Sequence, residues 1–225
     1  CAHRVAVAGP FISGRFDQLQ RNIPYRAFGE AFQSLVRQLL TESEVQLEVW
    51  RQKLRQALGT NGQVIVDVIP HLTMILGPQP PAPELEPAAA QNRFRLLFQN
   101  FIRVFCQPGH PLVIFLDDLQ WADAASLKLV EWMLADEDVS NLLLLGAYRS
   151  HEVDETHPLM NTVNTLKKEM ATAVNQIELA PLKLPHITDL IADTVHQAPA
   201  AVKLLANLVS SKTQGNPFFV RQFLL

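Results

Sequence analysis

Two short runs carry apolar residues without a polar break, LVIFL at 112–116 and LLLLG at 142–146. They stand apart from stretches where apolar positions recur every three or four residues. Continuous apolar runs of this length suit parallel strands covered on both faces. The segment 124–135 between them has helical spacing, so the three together predict a strand–helix–strand crossover unit. Upstream, 11–16 (FISGRF) reads as a strand and Asn22-Ile23-Pro24 as a helix start. A helix follows over 25–40, with Phe28, Phe32, Leu35, Val36 and Leu39 on one stripe, and a second over 44–58 that Gly59 ends. The apolar stretch 61–76 carries Pro70, which breaks or kinks any helix there. Helical spacing resumes over 91–106 through Phe94, Leu97, Phe98, Phe101, Ile102 and Phe105. A helix over 157–170 and a third strand-like run at 176–179 come next, then helices near 185–196, 200–212 and 217–225. Such alternation predicts an α/β fold, a parallel sheet with flanking helices, followed by a small C-terminal helical region. The expected division is 1–180 and 181–225.

Residues 77–87 (GPQPPAPELEP) hold five of the chain's 15 prolines and predict an extended, exposed connection. Composition supports a packed domain, with 48% hydrophobic and 18% charged residues over 225 positions. A net charge of −3 supplies no global field to draw in nucleic acid or an anionic membrane. Arg4, Arg15, Arg21, Arg26 and Arg37, against Asp17 and Glu30, form a small basic excess without the aromatic–basic interleaving of a nucleic-acid-binding segment, which reads as a solvated face. Cys1 and Cys106 make no disulfide framework, and His151 and His157 are too far apart for one helical metal face. No apolar run reaches the roughly 20 residues a bilayer requires, and no signal sequence opens the chain, so a cytoplasmic location without membrane partners is expected.

The chemistry concentrates at the end of the first apolar run, where PLVIFL passes directly into Asp117 and Asp118. The carboxyl ends of parallel strands open onto the crevice where α/β sheets bind ligands, so acids placed there reach a ligand while their strand stays buried. Asp123, directly before the 124–135 helix, is the better helix cap and leaves the Asp117–Asp118 pair for another role.

An apolar strand followed by Asp117-Asp118-Leu119-Gln120-Trp121-Ala122-Asp123 resembles the Walker B region of STAND and related AAA-type P-loop ATPases. Residues 11–25 and 90–105 are similar to the ATPase module of multidomain signalling kinases, an origin-recognition-like AAA domain. There a serine/threonine kinase precedes the module, and GAF and histidine-kinase domains follow. The resemblance implies ATP and Mg²⁺ as ligands, with Asp117 assisting Mg²⁺, Asp118 activating water and Arg149 at the next strand end sensing the γ-phosphate. Gln214-Gly215-Asn216-Pro217 resembles the Gly-x-Pro element that lies near adenine in the family, which makes Gly215 and Pro217 candidate nucleotide contacts. An ordinary glycine cap followed by a first-turn proline explains the same residues.

A phosphate-binding loop requires Gly-x-x-x-x-Gly-Lys-[Ser/Thr], and no glycine in this chain precedes a lysine. Residues 9–16 (GPFISGRF) keep the glycine spacing but offer Arg15 and Phe16 at the chemical positions. They match the family's second strand instead, so the loop and first strand are expected before residue 1. The implied function is an ATP-binding regulatory module of a signalling protein, with hydrolysis conditional on that upstream loop. The alternative is a non-catalytic scaffold domain.

Overall fold

The computed structural model describes residues 9–169 and 174–224. It divides into two compact units, Cys1–Val174 and Asn175–Leu225. The first holds a three-stranded sheet, β1 (Phe11–Arg15), β2 (Leu112–Asp117) and β3 (Leu142–Gly146), in that spatial order and parallel throughout.

Around the sheet lie α1 (Arg26–Leu39), α2 (Glu44–Leu58), the short α3 (Gly62–Val66) and α4 (Thr73–Leu76), α5 (Pro87–Phe105), α6 (Ala124–Leu134) and α7 (Pro158–Glu169). Pro70 lies in a tight turn between α3 and α4, where the apolar stretch breaks as expected. The aromatic stripe of α5 packs on α1 as a ladder. Phe32 meets Phe98 and Phe101 edge-on with ring centroids 5.9 and 5.0 Å apart, and Tyr25 stacks on Phe94 at 4.5 Å. Phe28, Phe32, Phe98 and Phe101 are fully buried, and each large aromatic contributes both area and preferred ring geometry to the core.

Register fixes what each face of the sheet presents. Ile12, Ile114 and Leu116 share the buried face, where Gly14 lets α1 approach so closely that a Cβ would stand 2.0 Å from the Ala27 carbonyl oxygen. The opposite face sets Phe11, Val113 and Leu143 in one row and Ser13, Phe115 and Leu145 in the next. On that face Phe11, Leu143 and Leu145 are 55, 49 and 42% exposed. Val113, in the central strand of that face, is 6% exposed, so the open part of this apolar face lies along its β1 and β3 edges, whereas parallel sheets are ordinarily covered on both faces.

The second unit packs α8 (Leu184–Val195), α9 (Lys203–Thr213) and α10 (Pro217–Leu224) around Ile187, Ile191, Val202, Ala206, Val209 and Val220. The run 176–179 is not a third strand of the kind its pattern predicted. It is not in a strand, and Ile177 and Leu179 are 83 and 90% exposed. Its two apolar residues alternate with Gln176 and Glu178, a weak pattern that only pairing could have stabilised. Met170 and Leu225, the ends of two expected helices, and Arg4 lie outside the described residues. No helix among the described residues is long and apolar enough to cross a membrane.

Candidate functional site

The site forms where β2 stops. Asp117 is the last strand residue and Asp118 turns the chain out of the sheet with φ 53° and ψ 44°. Left-handed backbone costs an L-residue about 1–2 kcal/mol, with Asp among the types that visit it. This conformation separates the two carboxylates. Asp117 keeps a side chain 42% exposed, with Oδ1 accepting from the Asp118 N–H at 2.9 Å, whereas the Asp118 side chain is 7% exposed.

Asp118 is clamped from three sides. Arg15, at the end of β1, donates to Oδ2 through Nε at 2.7 Å and pairs through Nη2 at 2.6 Å. Gln120 Nε2 donates to Oδ1 at 3.0 Å, and Arg149 Nε stands 3.6 Å from the same oxygen. Burial pushes the Asp118 carboxyl up, but the bonds from Gln120 and Arg15 and the two guanidinium charges outweigh it and hold the pKa below the usual carboxylate range. The same pair raises Arg15 above its ordinary value.

Gln120 is 1% exposed and joins the loops. Its Oε1 accepts from the Arg149 N–H at 3.3 Å, and its backbone carbonyl accepts from Arg21 Nη2 at 2.9 Å. Leu119 N–H donates to Ala147 O and Ala147 N–H to Leu116 O, each at 2.9 Å, which ties the β2 exit to the β3 exit. The Arg149 guanidinium lies over Trp121 at 5.3 Å from the ring centroid and pairs with Glu152 Oε1 at 2.9 Å. Asp123 caps α6, accepting from Ser126 N–H at 2.8 Å and Ser126 Oγ at 2.6 Å.

The structure therefore brings Asp117, Asp118 and Arg149 together. Gly215 and Pro217 belong to the second unit. There Gln214 and Gly215 are consecutive left-handed residues at φ 50° and 77°, and Pro217 opens α10. A Cβ on Gly215 would meet the Leu182 carbonyl oxygen at 2.3 Å, and Gly215 O accepts from Leu182 N–H at 2.8 Å. A helix stop followed by a first-turn proline accounts for this geometry.

Arg15, Gln120 and Arg21 were given no role at this site by the sequence. Arg15 and Arg21 stay on the solvent-exposed face expected of them, Arg15 with a side chain 65% exposed, but the pairing of β1 with β2 lets both guanidinium groups also reach the β2 exit. Arg26 stays on that face, paired with Glu30 at 2.8 Å. The segment 9–16 holds β1 and its immediate flanks, not a phosphate cradle. Pro10 O accepts from Val113 N–H at 3.0 Å, and Phe16 N–H donates to Asp117 O at 3.1 Å.

Among the described residues no group of three His, Cys, Asp or Glu could hold a metal as an all-protein cage. Mg²⁺ asks for less. It keeps several waters and takes one or two carboxylates beside phosphate oxygens, and the half-exposed Asp117 carboxylate at the strand end fits that demand. Cys106 offers no nucleophile, since burial pushes its thiol pKa up to about 11.

Comparison with known proteins gives the class. The AAA ATPase domain family matches residues 1–145, and the chain belongs to that family. Its parallel sheet with flanking helices is the P-loop NTPase-like α/β fold. It is also similar to hybrid signal transduction histidine kinase G of Dictyostelium discoideum, at 29% identity over 277 aligned residues. That alignment covers 95% of this chain and 8% of the relative, so the chain spans a small part of that protein's length. No solved structure matches.

Proposed function

We propose that this chain is the acid-bearing part of an ATP-binding regulatory module in a signal-transduction protein, of the STAND type within the AAA group. The observation that carries the reading is the division of labour at the β2 exit, one open carboxylate on Asp117 beside one buried, clamped carboxylate on Asp118. Membership of the AAA ATPase domain family supports ATP as the ligand, and similarity to a signalling histidine kinase supports a regulatory setting with an attached histidine-kinase domain; attached serine/threonine-kinase and GAF domains are what the resemblance of residues 11–25 and 90–105 implies.

In this reading Asp117 would hold Mg²⁺, which when bound would supply neutralisation of phosphate charge. Asp118, held ionised, orients the attacking water and accepts its proton, and Arg149 turns toward the γ-phosphate. Both arginines must loosen from Asp118 before that carboxylate can serve. The clamped arrangement is then a resting state whose release is coupled to nucleotide, and the nucleotide state biases the attached domains. Gly215 and Pro217 would contact adenine. A Gly-x-x-x-x-Gly-Lys-[Ser/Thr] segment outside these residues must supply the phosphate cradle. The open face of Phe11, Leu143 and Leu145 is compatible with further structure being added to this sheet.

A second reading, a scaffold without hydrolysis, draws on the same site: both Asp118 oxygens already have partners. Steady-state ATP turnover by the protein that carries the phosphate loop separates the two. Turnover abolished by Asp118→Asn supports the enzyme. Absence of Mg²⁺-dependent ATP binding and turnover in the wild type supports the scaffold.

A further inference from the structure

The proline-rich strap between α4 and α5 plays no part in the ATP reading and has an ordered presentation of its own. Proline fixes φ near the polyproline II value, and each residue preceding a proline is pushed toward extended backbone. In 78–83 (PQPPAP) every position is a proline or precedes one, so a polyproline II conformation follows from the covalent chemistry.

That helix has three residues per turn, so positions i and i+3 share an edge. Exposure along the strap follows this period. Gln79 and Ala82 share an edge and are half-buried, while Pro78 with Pro81 and Pro80 with Pro83 form two exposed edges. The inward edge is anchored. Gln79 Nε2 donates to Leu76 O at the end of α4 at 3.4 Å and to Gly77 O at 3.2 Å, and Gln79 Oε1 lies so close to Gly62 that a Cβ there would stand 2.4 Å away. At the far end Arg93 Nη1 donates to Pro83 O at 2.7 Å. The carbonyls of Pro80 and Pro81 accept no hydrogen bond among the described residues. Beyond Pro83, Glu84, Leu85 and Glu86 are all exposed.

We propose that residues 78–83 are a docking peptide for a protein domain that reads polyproline II segments through an aromatic-lined groove, with a basic rim where it meets Glu84 and Glu86. Two prolyl ridges face outward, free carbonyls lie between them, and the body pre-pays the ordering of the strap through Gln79 and Arg93. Those are the features such grooves recognise. Pre-organisation lowers the entropic cost of binding relative to a loose peptide. The acidic flank excludes grooves with an acidic rim, the charge-based half of specificity.

The test titrates the full-length protein against a panel of purified WW and Src-homology-3 domains sorted by the charge of the groove rim. Saturable binding to basic-rimmed members is expected. The double substitution Pro80→Ala/Pro83→Ala, which removes one exposed ridge, weakens it about tenfold or more, the scale of one anchoring contact. Glu84→Lys/Glu86→Lys weakens the same complexes and improves binding to acidic-rimmed members. Both variants should keep the wild-type helical circular dichroism and a cooperative unfolding transition, because the altered side chains are exposed, with at most a small fall in midpoint from the freer unfolded chain in one and the reversed charge at the α5 N-terminus in the other. Failure of every domain to saturate at millimolar concentration overturns the proposal, as does binding that survives loss of the ridge.

Discussion

Arg15 Nη2 and Asp118 Oδ2 stand 2.6 Å apart although 103 positions separate them in sequence, and this ion pair joins the ends of two neighbouring parallel strands. Its electrostatics set a pH dependence. The native pKa of Asp118 lies below its unfolded value, so the stabilisation it provides is present above the ordinary carboxylate range and is lost as pH falls through the native value. Arg15→Ala leaves burial less opposed and moves the Asp118 pKa upward. Urea unfolding should show the variant less stable than wild type at pH 7 and the difference shrinking toward pH 3. An Asp118 carboxylate resonance titrating identically in both proteins would contradict the clamp.

Gln120→Ala deprives Asp118 Oδ1 and the Arg149 N–H of a partner at a buried position. Groups left unsatisfied in this way cost about 1–3 kcal/mol each when they stay dry. A lower denaturation midpoint with an unchanged m-value is expected, which assigns the loss to the native state.

Gly14→Ala and Gly146→Ala separate rigid from yielding contacts. The new methyl at 14 meets the Ala27 carbonyl oxygen at 2.0 Å, and backbone can yield only by moving α1 off the sheet. At 146 it meets Leu119 Cδ1 at 2.4 Å, the far end of a side chain that can change rotamer. Overpacking typically costs about 1–3 kcal/mol. Gly14→Ala should reach the upper part of that range and Gly146→Ala fall well below it, and thermal unfolding of the two variants checks the order.

The strands and long helices were legible because their signals are local. LVIFL, bounded by Pro111 and the Asp117–Asp118 pair, suited a covered strand, and the Phe94-to-Phe105 spacing suited one helix face. The run at 176–179 misled because alternation over four residues says nothing about whether a partner strand exists. Asp117 and Asp118 were legible because they follow an apolar run directly. The left-handed turn at Asp118 was not, since Asp tolerates that conformation without requiring it. Arg15 and Gln120 were hidden for different reasons. Arg15 reaches the site through the pairing of β1 with β2, which no local pattern encodes, and a glutamine inside a turn acquires its role only once both loops are in place.

Nucleotide binding by the 225-residue chain alone should be weak, because none of its glycines precedes a lysine and the one segment with the right glycine spacing holds β1. Calorimetric titration with ATP and Mg²⁺ should give no saturation at micromolar concentration. Micromolar affinity would require a phosphate cradle built from residues other than those expected.

The most direct test of the central claim is Asp118→Asn in the protein that includes the phosphate loop, with ATP affinity and turnover measured side by side. Loss of a positioned general base typically slows chemistry about 10²- to 10⁴-fold. A fall of that order in turnover, with ATP affinity largely retained, is expected. Turnover equal to wild type would remove Asp118 from the role of water-activating acid.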